Sequence, residues 1–169
     1  MKCSTCGKET AEDKIVRIDD EPVCVDCLFG EVTPFTIRPI GIVKNDKKRK
    51  KTGFGTTGGD ISVIHLLPGM TRFMKGLSEE THLMIVWYIH NAGAVRTDFS
   101  RGWDGKRVGP FASRTPDRVT PIGVTDVELL EVDSDRLTVK GLDAVDGTPV
   151  LDIKVGMESL ERTGRKNYS

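Results

Sequence analysis

Cysteines occupy positions 3, 6, 24 and 27 of a 169-residue chain that has no others. Their spacing, Cys-x2-Cys-x17-Cys-x2-Cys, is the one two knuckles need to bring four thiolates to a single tetrahedral ion. Gly7 follows the first pair, where a knuckle turn requires positive φ. Between the pairs, Ile15-Val16-Arg17-Ile18 and Glu21-Pro22-Val23 read as two strands of a hairpin. About 30 residues bury too little apolar surface to fold alone, so the ion has to supply the stability, on the order of 10–16 kcal/mol for sites of this kind. We therefore expect a zinc ribbon over residues 1–30, ligated by Cys3, Cys6, Cys24 and Cys27. Four thiolates leave no open position for water, which makes the site structural rather than catalytic. A redox Cys-x-x-Cys is the rival reading, and neither pair has the βαβ pattern that would favour it.

With 25 basic and 25 acidic residues, net charge supplies no general attraction to nucleic acid or membrane. No apolar run approaches the roughly 18 residues of a membrane span, and no signal-peptide core follows Lys2, so a soluble cytoplasmic protein without membrane contact is expected.

Beyond a linker at Thr33-Pro34-Phe35, short β-branched runs alternate with turn residues: 40–43, 61–66, 83–89, 127–132, 137–139 and 150–153. Many strands without regular intervening helices point to a mainly β sandwich or barrel and argue against a doubly wound sheet. One amphipathic turn or two, no more than a short helix, is expected where Met70, Phe73, Met74 and Leu77 keep i, i+3, i+4, i+7 spacing. Gly53-Phe54-Gly55-Thr56-Thr57-Gly58 formally matches G-x-G-x-x-G, but it leads into a strand-like segment, so no helix amino terminus is available for a phosphate. The run 44–51 carries six cations; Lys47, Lys48, Arg49, Lys50 and Lys51 read as a mobile basic loop able to track a phosphate backbone, or as a solvated loop. Trp103, between Gly102 and Asp104, is a candidate to stack on a base, whereas Trp87 and Tyr88 lie in an apolar run and read as core. His65 and His82 read as hydrogen-bonded structural residues. Residues 157–169 are expected to form a flexible tail.

Three blocks carry the most specific information: Gly109-Pro110-Phe111-Ala112-Ser113-Arg114-Thr115-Pro116, Pro121-Ile122-Gly123-Val124, and Asp143-Ala144-Val145-Asp146-Gly147-Thr148-Pro149-Val150-Leu151-Asp152-Ile153-Lys154. Together with Ile40-Gly41-Ile42-Val43 and His90-Asn91, they closely resemble the TrmO family, also called TsaA or YaeB, over roughly 36–156. The resemblance implies a single-sheet β-barrel over 35–156 that binds S-adenosylmethionine and works as a homodimer. It further implies N6-methylation of threonylcarbamoyladenosine at position 37 of tRNA.

By position, His90 and Asn91 resemble the family's His-Gln cofactor contact, Arg114 its motif arginine and Val124 an apolar or backbone contact. Asp143, Ala144, Val145 and Asp146 resemble its Asp-Leu-Val-Asp cofactor segment. The residue types suit the ligand, since carboxylates accept ribose hydroxyls and a guanidinium pairs with the methionine carboxylate. The chain departs from the family where a Pro-Arg-Gln motif would follow the first strand, in Arg118-Val119-Thr120-Pro121, and in Lys154-Val155-Gly156. An exocyclic adenine amine is a poor nucleophile, so catalysis should rest on alignment and on accepting an N–H bond. Asp152 and Lys154 are candidates to face the acceptor, or else form an ion pair on a strand. Methyl transfer to a small molecule or protein side chain, and a non-catalytic zinc-containing RNA-binding module, are the alternatives.

Overall fold

The computed structural model describes residues 1–49 and 56–162. The chain divides into two compact units, Met1–Thr36 with Asn91–Pro121, and Ile37–His90 with the segment from Ile122 onward.

The first unit begins with the cysteine ribbon, in which strands β1 (Ile15–Ile18) and β2 (Glu21–Cys24) pair antiparallel with Ile18 opposite Glu21. The two-residue connection puts Asp19 and Asp20 at φ 49 and 69, the positive values a tight hairpin turn demands and which aspartate tolerates better than most residues. A single helical turn, α1 (Val25–Phe29), follows and carries Cys27.

In the second unit, β3 (Gly41–Lys44) is followed by the short pair β4 (Lys48–Arg49) and β5 (Thr56–Thr57), then β6 (Ile61–Leu66) and β7 (His82–Tyr88). After β8 (Phe99–Ser100) and β9 (Arg107–Val108), a hairpin of the first unit, the chain returns through β10 (Ile122–Asp133), β11 (Arg136–Lys140) and β12 (Pro149–Val155). Strands β10-β11-β6-β3-β12-β7 close into a six-stranded antiparallel barrel, so the expected barrel is what forms. Period-two alternation fills it. Leu83, Ile85 and Trp87 of β7 point inward with Ile64, Val43, Val127, Leu137, Val139 and Val150, each worth about 1.5–3 kcal/mol of burial.

Gly123 lies opposite Trp87 on the β10–β7 ladder, and a Cβ there would meet the indole at 2.4 Å. The indole Nε1 in turn donates to Thr125 Oγ1 at 3.2 Å. Trp87 is thus core, as its apolar run implies, while Tyr88 is exposed.

The i, i+3, i+4, i+7 pattern from Met70 to Leu77 forms the expected turns as two 3-10 turns, Met70–Phe73 and Leu77–Glu79, kept apart by Gly76, whose φ of 82 interrupts any continuous helical register. The start of the supposed tail is helix α2 (Met157–Arg162). Ser159, 3% exposed, anchors it by accepting the Thr81 and His82 amide N–H bonds. His82 Nε2 sits 3.1 Å from Glu158, which gives that histidine the structural role expected of it.

Candidate functional sites

In the ribbon, the sulfurs of Cys3, Cys6, Cys24 and Cys27 all lie within 4.8 Å of one another, and Cys6 Sγ is 3.9 Å from Cys24 Sγ. That separation is far beyond a disulfide, and all four thiols are free. It is close to the roughly 3.8 Å edge of a tetrahedron with zinc–sulfur bonds of about 2.3 Å. The knuckle geometry expected of Gly7 is present, with φ 72 and its N–H donating to the Cys3 carbonyl at 2.9 Å. The Cys24 amide donates to Cys3 Sγ at 3.3 Å and is the chief reason that thiol falls to about 6. Cys27, crowded first by the Cys24 thiol and then by that of Cys6, is pushed up to about 12, a crowding that a dication would reverse. The donor set and spacing fit a structural metal.

At the barrel, one end collects most of the positions expected to hold a cofactor. The register places Val150, Trp87 and Gly123 side by side on β12, β7 and β10. The start of β12, the end of β7 and the start of β10 therefore share that end. Here Thr148 Oγ1 lies 3.4 Å from His90 Nδ1, joining His90 to the loop that carries Asp143, Ala144, Val145 and Asp146. Asp143 and Asp146 are exposed, Val145 is half-buried, and Ala144 is fully buried among core residues, so Ala144 is a packing residue of the loop. Val124 is half exposed on the outer wall beside Ile122 and Tyr88. Exposed carboxylates that can accept from ribose hydroxyls, a histidine and an apolar outer wall are the group types a ribose and an adenine call for. Asn91 and Arg114 belong to the other unit, where both are exposed.

The loop is held by residues to which the sequence alone assigns no such role. Asn45 Nδ2 donates to the Ala144 carbonyl at 2.9 Å and to Ser62 Oγ at 2.8 Å, and its own amide donates to Asp146 Oδ1 at 3.2 Å. Lys47, expected in a mobile basic loop, is 7% exposed. Its ammonium donates to the Leu142 carbonyl at 2.6 Å and lies 3.8 Å from Asp60. A cation so engaged is a strut of the 142–146 loop, not a free contact for a phosphate. The only signal for this in the sequence is Asn45, whose side-chain oxygen caps the Lys47 amide two residues on.

Lys48 is exposed; Lys50 and Lys51 lie outside the described residues, as does the Arg49 side chain. Thr56 and Thr57, within the formal glycine motif, pair as a strand with Arg49 and Lys48, whereas Gly53 and Gly55 lie outside the described residues.

Asp152 and Lys154 stand on β12 opposite Val86 and Met84, with the ammonium 2.6 Å from the carboxylate. They are the strand ion pair named as the alternative to an acceptor-facing role.

In the first unit, the motif at 109–116 forms a 3-10 turn at Pro110–Ala112. Arg118 Nη2 donates to the carbonyls of Pro110 at 2.6 Å and Ser113 at 3.2 Å, and Arg101 Nη1 to that of Ala112 at 3.2 Å. Arg101 also pairs with Asp104, which lowers the Asp104 carboxyl below its usual range, and its guanidinium lies 4.6 Å from the centre of the Trp103 ring.

A sequence model of the tRNA-methyltransferase O N-terminal domain matches residues 52–161. Over 131 residues the chain is 37% identical to a Methanothermobacter thermautotrophicus protein named "Probable S-adenosyl-L-methionine-binding protein", covering 76% of this chain and 94% of that one. It is 31% identical over 142 residues to the Escherichia coli tRNA (adenine(37)-N6)-methyltransferase, covering 73% of this chain but 58% of that enzyme. A crystal structure titled TrmO aligns with TM-score 0.58 and 23% identity, over 81% of this chain and 62% of the other, which is a likeness of fold. The chain belongs to the TrmO family through its barrel domain, with all four ribbon cysteines lying outside the matched residues.

Proposed function

We propose that the protein is an S-adenosylmethionine-dependent methyltransferase acting on N6 of an adenosine in tRNA, and that its substrate is the threonylcarbamoylated adenosine at position 37. The observation that carries this reading is family membership joined to a barrel end where Thr148 links His90 to the loop that carries Asp143 and Asp146. The relative named for S-adenosylmethionine binding is spanned almost completely, which supports the cofactor; the enzyme named for adenine-37 methylation is spanned over 58%, which supports the acceptor less fully.

Bound S-adenosylmethionine supplies an electrophilic methyl group on a sulfonium. The chain's own part is to hold and orient. Asp143 and Asp146 accept hydrogen bonds from ribose hydroxyls, Val124 offers apolar wall to the adenine, and Asn45 and Lys47 keep the loop in place. With Asp152 and Lys154 neutralising each other on β12, no strong base is assigned. The ribbon cysteines bind one structural zinc ion, and the protein acts as a cytoplasmic homodimer.

The test is methyl transfer by the zinc-loaded protein to tRNA with and without prior threonylcarbamoylation, read by nucleoside mass spectrometry. N6-methylation of the modified tRNA alone is expected. Cofactor binding without methylation of either tRNA shifts the acceptor to a small molecule or protein.

A further inference from the structure

We propose that Trp103 and Phe111 form a two-ring stacking platform for unpaired nucleotides, with Arg101 as the strut between them. Trp103 is 71% exposed and Phe111 87% exposed, a costly way to leave two aromatic rings unless something covers them. They sit on separate elements, the loop joining β8 to β9 and the 110–112 turn. Arg101 ties the two together by stacking on Trp103 while donating to the carbonyl of Ala112, the neighbour of Phe111. Asp104 fixes the guanidinium in that position. Arg114, three residues on, is exposed and has no ion pair or hydrogen bond among the described residues, so its charge is available to a phosphate. Rings with a guanidinium alongside suit single-stranded bases, which stack without regard to sequence.

The inference rests on the tRNA reading above and names the surface that would serve it. The experiment compares wild type, Trp103→Ala, Phe111→Ala and Trp103→Phe for binding of an anticodon stem-loop RNA and of a fully paired duplex. S-adenosylmethionine titrations run in parallel. Each alanine variant is expected to weaken stem-loop binding about tenfold or more, with Trp103→Phe near wild type and both duplex and cofactor binding unchanged. Wild-type stem-loop affinity in the alanine variants overturns the platform. So does an equal loss on duplex, or unchanged RNA binding with altered self-association, which would make the rings a protein interface. Failure of wild type to bind cofactor would instead remove the methyltransferase reading.

An independent set of contacts points to a purpose for the ribbon. Its hairpin tip is clasped to residues 95–97: Ile18 bridges Val95 in parallel, Asp19 N–H donates to the Val95 carbonyl at 2.8 Å, and Val95 N–H donates to that of Arg17 at 3.0 Å. The Asp19 carboxylate accepts both the amide and the hydroxyl of Thr97, and Asp20 takes both arms of Arg96. Thr97 holds the Asp19 carboxyl below its usual range. Since Cys24 ends the same hairpin, the geometry assigns to the metal ribbon the task of positioning the 91–121 segment, with Asp19 and Asp20 as positioning residues. Hydrogen exchange on the full chain tests this. Removing the metal with a chelator is expected to accelerate exchange at the Val95 and Thr97 amides together with the ribbon, and Asp19→Ala to do so at Thr97 with metal content unchanged. Ribbon amides that open while 95–97 stay protected would overturn it.

Discussion

Replacing Lys47 with methionine separates a structural cation from an RNA-binding one. Its Nζ donates to the Leu142 carbonyl at 2.6 Å within a residue that is almost fully enclosed. Methionine keeps the apolar stem but supplies no donor, so the carbonyl loses a charge-assisted bond worth about 1.5–3 kcal/mol. Asp60, 3.8 Å away and well exposed, adds little because water screens it. A net loss of about 1.5–3 kcal/mol follows, or about 3–12 °C in Tm for a chain of this size. Urea unfolding followed by near-ultraviolet circular dichroism should show a lowered midpoint with the slope unchanged. The exposed neighbour Lys48→Met should stay within about 0.5 kcal/mol. The reasoning fails if Lys47→Met unfolds like wild type and instead weakens tRNA binding with a shallower salt dependence.

Gly123→Ala should destabilise the barrel by about 1–3 kcal/mol in the same unfolding assay, because its methyl must displace the Trp87 ring at 2.4 Å. Ser159→Ala leaves the part-buried amides of Thr81 and His82 without this acceptor, so about 1–3 kcal/mol should be lost and helix α2 should exchange amide hydrogens faster. Lys154→Ala breaks only a half-exposed pair and should change stability by less than about 1 kcal/mol, with methyl transfer retained. Cys24→Ser should abolish stoichiometric zinc in metal analysis and unfold the ribbon while barrel ellipticity persists, since the core of the barrel contains none of the cysteines.

The ribbon was legible because metal spacing, a glycine knuckle and a two-residue hairpin are all local features. The barrel was legible as alternating strands, and its closure came from the family resemblance. What stayed hidden depends on contacts distant in sequence. Lys47 looked like part of a basic run, yet it reaches a carbonyl 95 positions away. Asn45 spans a similar separation to Ala144. The clasp of Asp19 and Asp20 onto 95–97 could not be read from a turn whose residues already account for themselves as hairpin formers. The start of the 157–169 segment reads as tail because Ser159 is polar, yet that serine is buried.

The central claim is that the barrel end carrying His90, Asp143 and Asp146 binds S-adenosylmethionine, and isothermal titration of the folded, zinc-loaded chain tests it most directly. Saturable heat is predicted, weakened about tenfold or more by Asp146→Asn, which removes a charged acceptor. No heat with the wild-type protein, or undiminished affinity in Asp146→Asn, would contradict it.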